Sequence, residues 1–289
     1  IQRDLECVEF KKTAATCSCD FDGEQCNFYG LQRHMQSTDR DERRRAFVKW
    51  AEMYESISDK LDAQYDKLIS LRQEMARRAG FSSFTEMAYL NMRRLDYGPE
   101  EVRAFREQVK QYVVPVCDKL FKEQAEGLGV GELRYYDEAL IYPEGNAIPQ
   151  GDMRTLVGKA QQMYRELSPE TGEFFDFMVK YELFDLETHP GKHMGGYCTS
   201  LPDYNAPFIF SNFNGTSADV DVLTHEAGHA FQAYTSMRCL PLKRYCWPTS
   251  EVCEIHSMTM EHFTYPWMDS FFGENAEKYR RAHLMSALE

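Results

Sequence analysis

The stretch Thr224-His225-Glu226-Ala227-Gly228-His229-Ala230 decides how the rest of the chain is read. On an α-helix, residues four apart lie one above the other, so the imidazoles of His225 and His229 reach toward one point while Glu226, next in sequence, is directed beside it. Two neutral imidazoles at that spacing suit a zinc ion, and a carboxylate beside the open coordination position suits removal of a proton from water. His225 and His229 are therefore candidate metal ligands and Glu226 the candidate general base.

A catalytic zinc site needs a third protein ligand. Downstream, Trp247-Pro248-Thr249-Ser250-Glu251-Val252-Cys253-Glu254-Ile255-His256-Ser257 reads as a second helix, entered through Pro248 with Thr249 or Ser250 as its cap. Two glutamates compete. Glu251 falls in the first turn, where a carboxylate commonly answers the helix dipole, whereas Glu254 lies deeper with Glu261 two turns beyond it on the same face, and this favours Glu254. Asp221 precedes His225 by four residues and shares its face, so Asp221 and Glu261 are the two candidates for accepting the other ring N–H of a ligand histidine. His256 and His262 lie on the same second helix and are not needed to complete the metal shell.

Before the motif, Tyr197 to Leu201 and Phe208 to Phe213 alternate like strands, with Pro202-Asp203-Tyr204-Asn205-Ala206-Pro207 as the turn. The exposed edge of such a hairpin is suited to pairing with an extended peptide, and Gly195 and Gly196 let a backbone come close, so Gly195, Gly196 and Tyr197 are candidate substrate contacts.

The run Gly195-Gly196-Tyr197-Cys198-Thr199-Ser200, then Pro207-Phe208-Ile209-Phe210-Ser211-Asn212-Phe213-Asn214-Gly215-Thr216, then the H-E-x-x-H helix and Glu254 with Glu261, resembles the oligoendopeptidase F branch of the thimet-oligopeptidase family of zinc metallopeptidases. In that family the third ligand is a glutamate about twenty-five residues past the second histidine, with another seven residues later, a pattern that Glu254 and Glu261 match and Glu251 does not. The resemblance implies a mainly helical, gluzincin-like fold with a small β-hairpin near the active site, one Zn²⁺ per chain, and endopeptidase action on oligopeptides admitted to a deep channel. It also implies that relatives continue past Glu289, into a segment whose histidine and tyrosines bind substrate and stabilise the oxyanion. With Ile1 at its start and a helix interrupted at its end, the chain is expected to be a piece cut at both ends. Losing oxyanion donors typically costs ~10² to 10³ in rate each, which leaves a zinc-binding helical fragment without turnover as the alternative reading.

Composition bounds the rest. At 289 residues and 43% hydrophobic content the chain can bury one large core or two modest ones. A net charge of −13 argues against nucleic acid or an anionic membrane as partner, because phosphate contacts need concentrated Lys and Arg. No run of about 18 apolar residues occurs. Nine scattered cysteines without a C-x-x-C pair point to a reducing compartment, and the expected location is cytoplasmic. Cys17, Cys19, Cys26 and His34 lie close enough to suggest a small zinc site, but their spacings fit no standard knuckle, so they are read as ordinary reduced cysteines.

Along the chain, Asp22-Gly23 is a favoured tight turn with Cys26-Asn27-Phe28-Tyr29 returning from it. From Thr38, the spacing of Phe47, Trp50, Tyr54, Ile57, Leu61, Tyr65, Leu68 and Leu71 predicts one long helix up to Gly80. Ser83-Phe84-Thr85-Glu86 opens a shorter helix to about Leu95, and Pro99 starts another to roughly Gly127, kinked near Val113-Val114-Pro115. Two more helices are expected near 152 to 167 and 169 to 184, and the motif helix from about Ser217 to Ser236. The expected division is a helical lobe over 1–190 and a zinc-bearing part over 191–289.

Overall fold

The structure is a computed structural model that describes residues 1–288. Its contacts gather into two compact units, the first holding Ile1–Pro143 and Pro190–Met194, the second Glu144–His189 and Gly195–Ala287.

The first unit begins with α1 (Gln2–Ala15), which the sequence did not announce because its apolar residues form no single stripe. A hairpin follows, β1 (Cys19–Phe21) against β2 (Glu24–Cys26), in register Cys19 to Cys26 and Phe21 to Glu24. Its turn residues Asp22 and Gly23 both have positive φ, 52° and 87°, the backbone that makes Asp-Gly a favoured two-residue loop. The return is shorter than expected, since Asn27 caps α2 (Phe28–His34) by accepting the Gly30 N–H at 3.0 Å.

The single long helix expected up to Gly80 is instead two, α3 (Arg40–Glu55) and α4 (Ser58–Arg78). At the break, the Ser56 hydroxyl donates to Met53 O and the Ser58 hydroxyl to Glu55 O, so side chains offer the backbone the local alternative that favours a turn. The aromatic stripe nevertheless packs as core: Trp50 and Tyr54 close over Phe28, with the Phe28 and Tyr54 rings 4.2 Å apart. The unit continues through α5 (Phe84–Asn91), capped by Ser83, and α6 (Pro99–Gln108), and then α7 (Val114–Gly127). The kink expected before Pro115 takes the form of a π-helical turn over Val109–Val113, one way a helix absorbs the donor that proline lacks. α5 ends short of the expected Leu95 because Arg93 turns to a φ of 58°.

The second unit packs α8 (Met153–Leu167) on α9 (Pro169–Lys180), each started by a side-chain cap, Asp152 and Ser168. It then forms a three-stranded sheet of β3 (Phe184–Glu187), β4 (Tyr197–Leu201) and β5 (Ala206–Phe213), in the order β3-β5-β4. The β4–β5 hairpin is antiparallel, with Tyr197 opposite Phe210 and Leu201 opposite Ala206. β3, which no sequence pattern announces, pairs with β5 in parallel and begins at Phe184, where the preceding helix is expected to end. Glu182, at a φ of 52°, makes that early stop.

Against the sheet lies α10 (Ala218–Cys239), followed by α11 (Ser250–Phe263), α12 (Met268–Phe272) and α13 (Ala276–Ser286). Val220, Leu223, Ala227, Ala230 and Ala233 of α10 are fully buried, so this helix is the axis of the core. Small residues let its neighbours approach. A methyl group on Gly228 would stand 2.7 Å from His256 O and from Ser257 Cα on α11, so only glycine permits the observed separation of the two helices. No helix among the described residues is long and apolar enough to cross a membrane.

Candidate metal centre

Helix α10 presents His225 and His229 one turn apart, their rings 4.9 Å centre to centre and nearly perpendicular. Helix α11 brings Glu254 across the pair. Its Oε2 lies 3.3 Å from His225 Nε2 and 3.6 Å from His229 Nε2, and donor atoms of all three residues fall within 4.8 Å of one another. Glu251 sits exposed in the first turn of α11 and is not a member of this group. The Ser257 hydroxyl donates to Glu254 Oε2 at 2.9 Å and steadies it. Half of the Glu254 side chain is exposed, so the group opens to solvent on that side.

Glu226 lies beside these three and is buried. Burial pushes its carboxyl up to about 7, against the opposing pull of the His225 ring and a backbone hydrogen bond from Cys198. Its Oε2 is buried without a hydrogen-bond partner, a costly state for a carboxylate oxygen unless something else satisfies it. Two imidazole nitrogens, one carboxylate oxygen and an unsatisfied acceptor next to them form a donor set that fits Zn²⁺ with a water in its open position.

Behind the group, Glu261 is held well below the usual carboxylate range, at about 2: burial opposes this, but hydrogen bonds from His225 and His283 outweigh it. An ionised carboxylate only accepts, so the 2.5 Å contact makes His225 Nδ1 the donor and leaves Nε2 with its lone pair directed at Glu254 and His229. The other Glu261 oxygen accepts from His283 Nε2 at 2.6 Å, and the Tyr265 hydroxyl lies 2.6 Å from His283 Nδ1. Asp221, the other carboxylate considered for this task, accepts instead from the Tyr279 hydroxyl at 2.5 Å, and burial raises it to about 6. The neighbouring Asp219 ties down the loop before α10 by accepting the N–H groups of Asn214 and Gly215.

His283, Tyr279 and Tyr265 were not singled out in the sequence. A faint signal existed, because Tyr279 and His283 stand four apart and share a helix face, but nothing in the sequence says that the face meets Glu261 and Asp221. His262 stacks edge-on to Tyr265 and lies outside the ligand group.

The glycine pair is placed by the hairpin. Gly195 has a φ of 101° and its carbonyl accepts from Asn212 Nδ2 at 2.9 Å. A Cβ on Gly196 would stand 3.1 Å from Val222 and 3.6 Å from Glu226 Oε1, so the backbone there runs alongside the general-base candidate. Tyr197 stacks on Phe210 at 4.9 Å and opens β4, an edge strand of its sheet.

The model of peptidase family M3 matches residues 33–143 and 171–284. Among solved structures, an X-ray structure of an oligoendopeptidase F is 48% identical with a TM-score of 0.97, covering 99% of this chain and 51% of that one. PZ peptidase A with inhibitor 2 is 47% identical with a TM-score of 0.97, covering 99% and 51%. An oligoendopeptidase F from Bacillus anthracis str. Ames is 46% identical with a TM-score of 0.96, covering 99% and 53%. The chain thus spans about half the length of these structures. No curated protein matches it. The family match extends over well more than half of the residues and takes in both helices of the candidate metal centre, and the chain belongs to peptidase family M3.

Proposed function

We propose that the chain carries the metal centre of a zinc-dependent metalloendopeptidase that hydrolyses peptide bonds in oligopeptides, with His225, His229 and Glu254 as ligands. The observation that carries this reading is the convergence of those three side chains from two helices beside the buried, unsatisfied carboxylate of Glu226. When bound, zinc supplies Lewis acidity toward the scissile carbonyl and lowers the pKa of a water molecule.

The chain's own groups do the rest. Glu226, beside the ligands and with one carboxylate oxygen unsatisfied, removes a proton from water and returns it to the leaving amine, and no covalent intermediate with the protein is required. Glu261 fixes the tautomer of His225, and His283 with Tyr265 fixes Glu261. The free edge of β4 pairs with an extended substrate, and Gly196 leaves room for its backbone beside Glu226. We retain residue 190/191 as the functional division, since every side chain given a role here lies at 195 or beyond. A net charge of −13 and the scattered cysteines support a cytoplasmic protein that acts on peptides and binds no nucleic acid.

Cleavage of a quenched-fluorescent oligopeptide in added zinc, beside a chelated sample and the Glu226→Gln variant, tests the proposal. Cleavage that both controls abolish, with the variant still binding zinc, is the expected result. Zinc binding without cleavage selects the non-hydrolytic alternative, and absence of both removes the metal-centre reading.

A further inference from the structure

A second group of metal-ligating side chains lies in the first unit. In the hairpin, Glu24 and Cys26 are two apart on β2 and so share a face, and their cross-strand partners Phe21 and Cys19 share it with them. Helix α2 lays His34 over that face, its ring 4.8 Å from Phe21. Donor atoms of Glu24, Cys26 and His34 fall within 4.8 Å of one another. The 3.4 Å between His34 Nε2 and Glu24 Oε2 is within the about 3.3 to 3.8 Å expected between donors around a tetrahedral zinc with bonds of 2.0 to 2.3 Å.

We infer that Cys26, His34 and Glu24 form a second zinc-type binding site, with a fourth position open to water.

The histidine is set up for this. Glu42 Oε1 lies 2.7 Å from His34 Nδ1, while its Oε2 accepts from the Ser37 hydroxyl at 2.6 Å. Glu42 takes these two contacts through separate carboxylate oxygens, so Glu42 accepts and His34 Nδ1 donates. That leaves Nε2 as the basic nitrogen, and it is buried without a hydrogen-bond partner on the side facing Cys26 and Glu24. A carboxylate behind a histidine whose other nitrogen faces a thiol and a second carboxylate is the arrangement that orients imidazole for a metal. Arg33 now holds Glu24, donating to both oxygens at 2.5 and 2.6 Å. A cation taking Oε2 leaves Oε1 to Arg33, which is nearly half exposed and free to adjust. On binding, the Cys26 S–H bond breaks, its proton goes to solvent and the thiolate pair forms the metal–sulfur bond.

This site is chemically distinguishable from the one on α10 and α11, whose ligands are nitrogen and oxygen only. Metal-free protein is titrated with Co²⁺ and followed by absorption, since a thiolate-bound cobalt shows sulfur-to-metal charge transfer in the near ultraviolet and a cobalt held by His225, His229 and Glu254 does not. The expected result is a charge-transfer band saturating at one cobalt per chain, lost in Cys26→Ser with binding reduced by one equivalent, and reached only at about 10- to 100-fold higher cobalt in Glu42→Gln. Circular dichroism confirms that each variant is folded, and Glu42→Gln leaves all three ligands in place, so it carries the test if Cys26→Ser unfolds. Absence of the band in the wild type, or its persistence in Cys26→Ser, overturns the assignment. The outcome is independent of whether the α10–α11 site binds metal or turns over peptide.

Discussion

Gly228→Ala is the sharpest test of how the two helices of the proposed metal centre are held together. The added methyl would sit 2.7 Å from both His256 O and Ser257 Cα and 3.0 Å from Met260 Cβ, where ordinary contact begins at 3.4 Å. Two of the three neighbours are backbone, so side-chain rotation gives no relief and α11 must retreat from α10 by about 0.7 Å, an overpacking that costs roughly 1–3 kcal/mol. Alanine recovers about 1 kcal/mol of helix propensity, which leaves a net loss of about 0 to 2 kcal/mol and a folded protein. Function suffers more than stability. Glu254 lies on the displaced helix less than one turn from the clash, whereas His225 and His229 stay on α10, and zinc tolerates only about 0.2 Å in its bond lengths. On the scale of ~10²-fold per 1 Å of misplacement, kcat/KM should fall about 10- to 100-fold, with zinc affinity falling alongside. Zinc affinity by competition with a chromophoric chelator, peptide cleavage and thermal melting would be measured together, with Gly158→Ala as control, since nothing lies within 4 Å of a Cβ on that exposed helical glycine. A Gly228→Ala variant that binds zinc and cleaves peptide like the wild type would refute the idea that α10–α11 contact sets the position of Glu254.

Two further outcomes are expected. Glu261→Gln removes the charge that accepts from His225 Nδ1 at 2.5 Å, and zinc affinity should drop about 10- to 100-fold while the far-ultraviolet circular dichroism stays unchanged; unchanged affinity would show that the tautomer of His225 is fixed by something else. Tyr279→Phe strips half-buried Asp221 of its donor and should cost about 1–3 kcal/mol. The Asp221 carboxyl is already raised to about 6 from 3.8 by burial, and losing the hydroxyl, which favours the charged form, raises it further. The native state then holds this proton over a wider range than the unfolded state, so the cost is smallest below pH 3.8 and fully developed only above the new folded pKa. Melting curves at pH 4 and pH 8 should therefore separate wild type from variant more widely at pH 8, and an equal gap at both would sink the account.

The fold class and the ligand helix were legible because both depend on short-range periodicity. His225 and His229 share a face by their spacing alone, Asp22-Gly23 carries its own turn geometry, and Ser83, Asp152 and Ser168 cap helices with the residue types that bond N-terminal amides. What escaped was set by contacts distant in sequence. β3 exists because Phe184 and Asp185 find Ile209 and Phe210 to pair with, not because their own residues alternate. The break at Ser56-Ile57 interrupts a stripe whose periodicity runs through it, so the pattern that announces a helix also hid its end. In the site, spacing narrowed the acceptor for His225 to Asp221 or Glu261 and could go no further, because the choice rests on where α11 and α13 cross α10.

That crossing also explains why the buried carboxylates around α10 differ so widely. Asp219 and Asp221 stand near 6, Glu226 near 7 and Glu261 near 2, although burial raises all four. The difference follows the partners. Asp219 meets only neutral backbone amides and Asp221 a neutral phenol, which compensate burial in part, whereas Glu261 accepts from two imidazoles that can carry charge. Glu226 has the least compensation, with one oxygen unpartnered, and so holds its proton closest to neutrality. A carboxylate that keeps a histidine fixed needs the charged state, and Glu261 has the donors that hold it there. The same helix supplies both environments because His225 meets Glu261, backed by His283 and Tyr265, while Glu226 runs beside the Gly196 backbone and takes one backbone hydrogen bond, from Cys198.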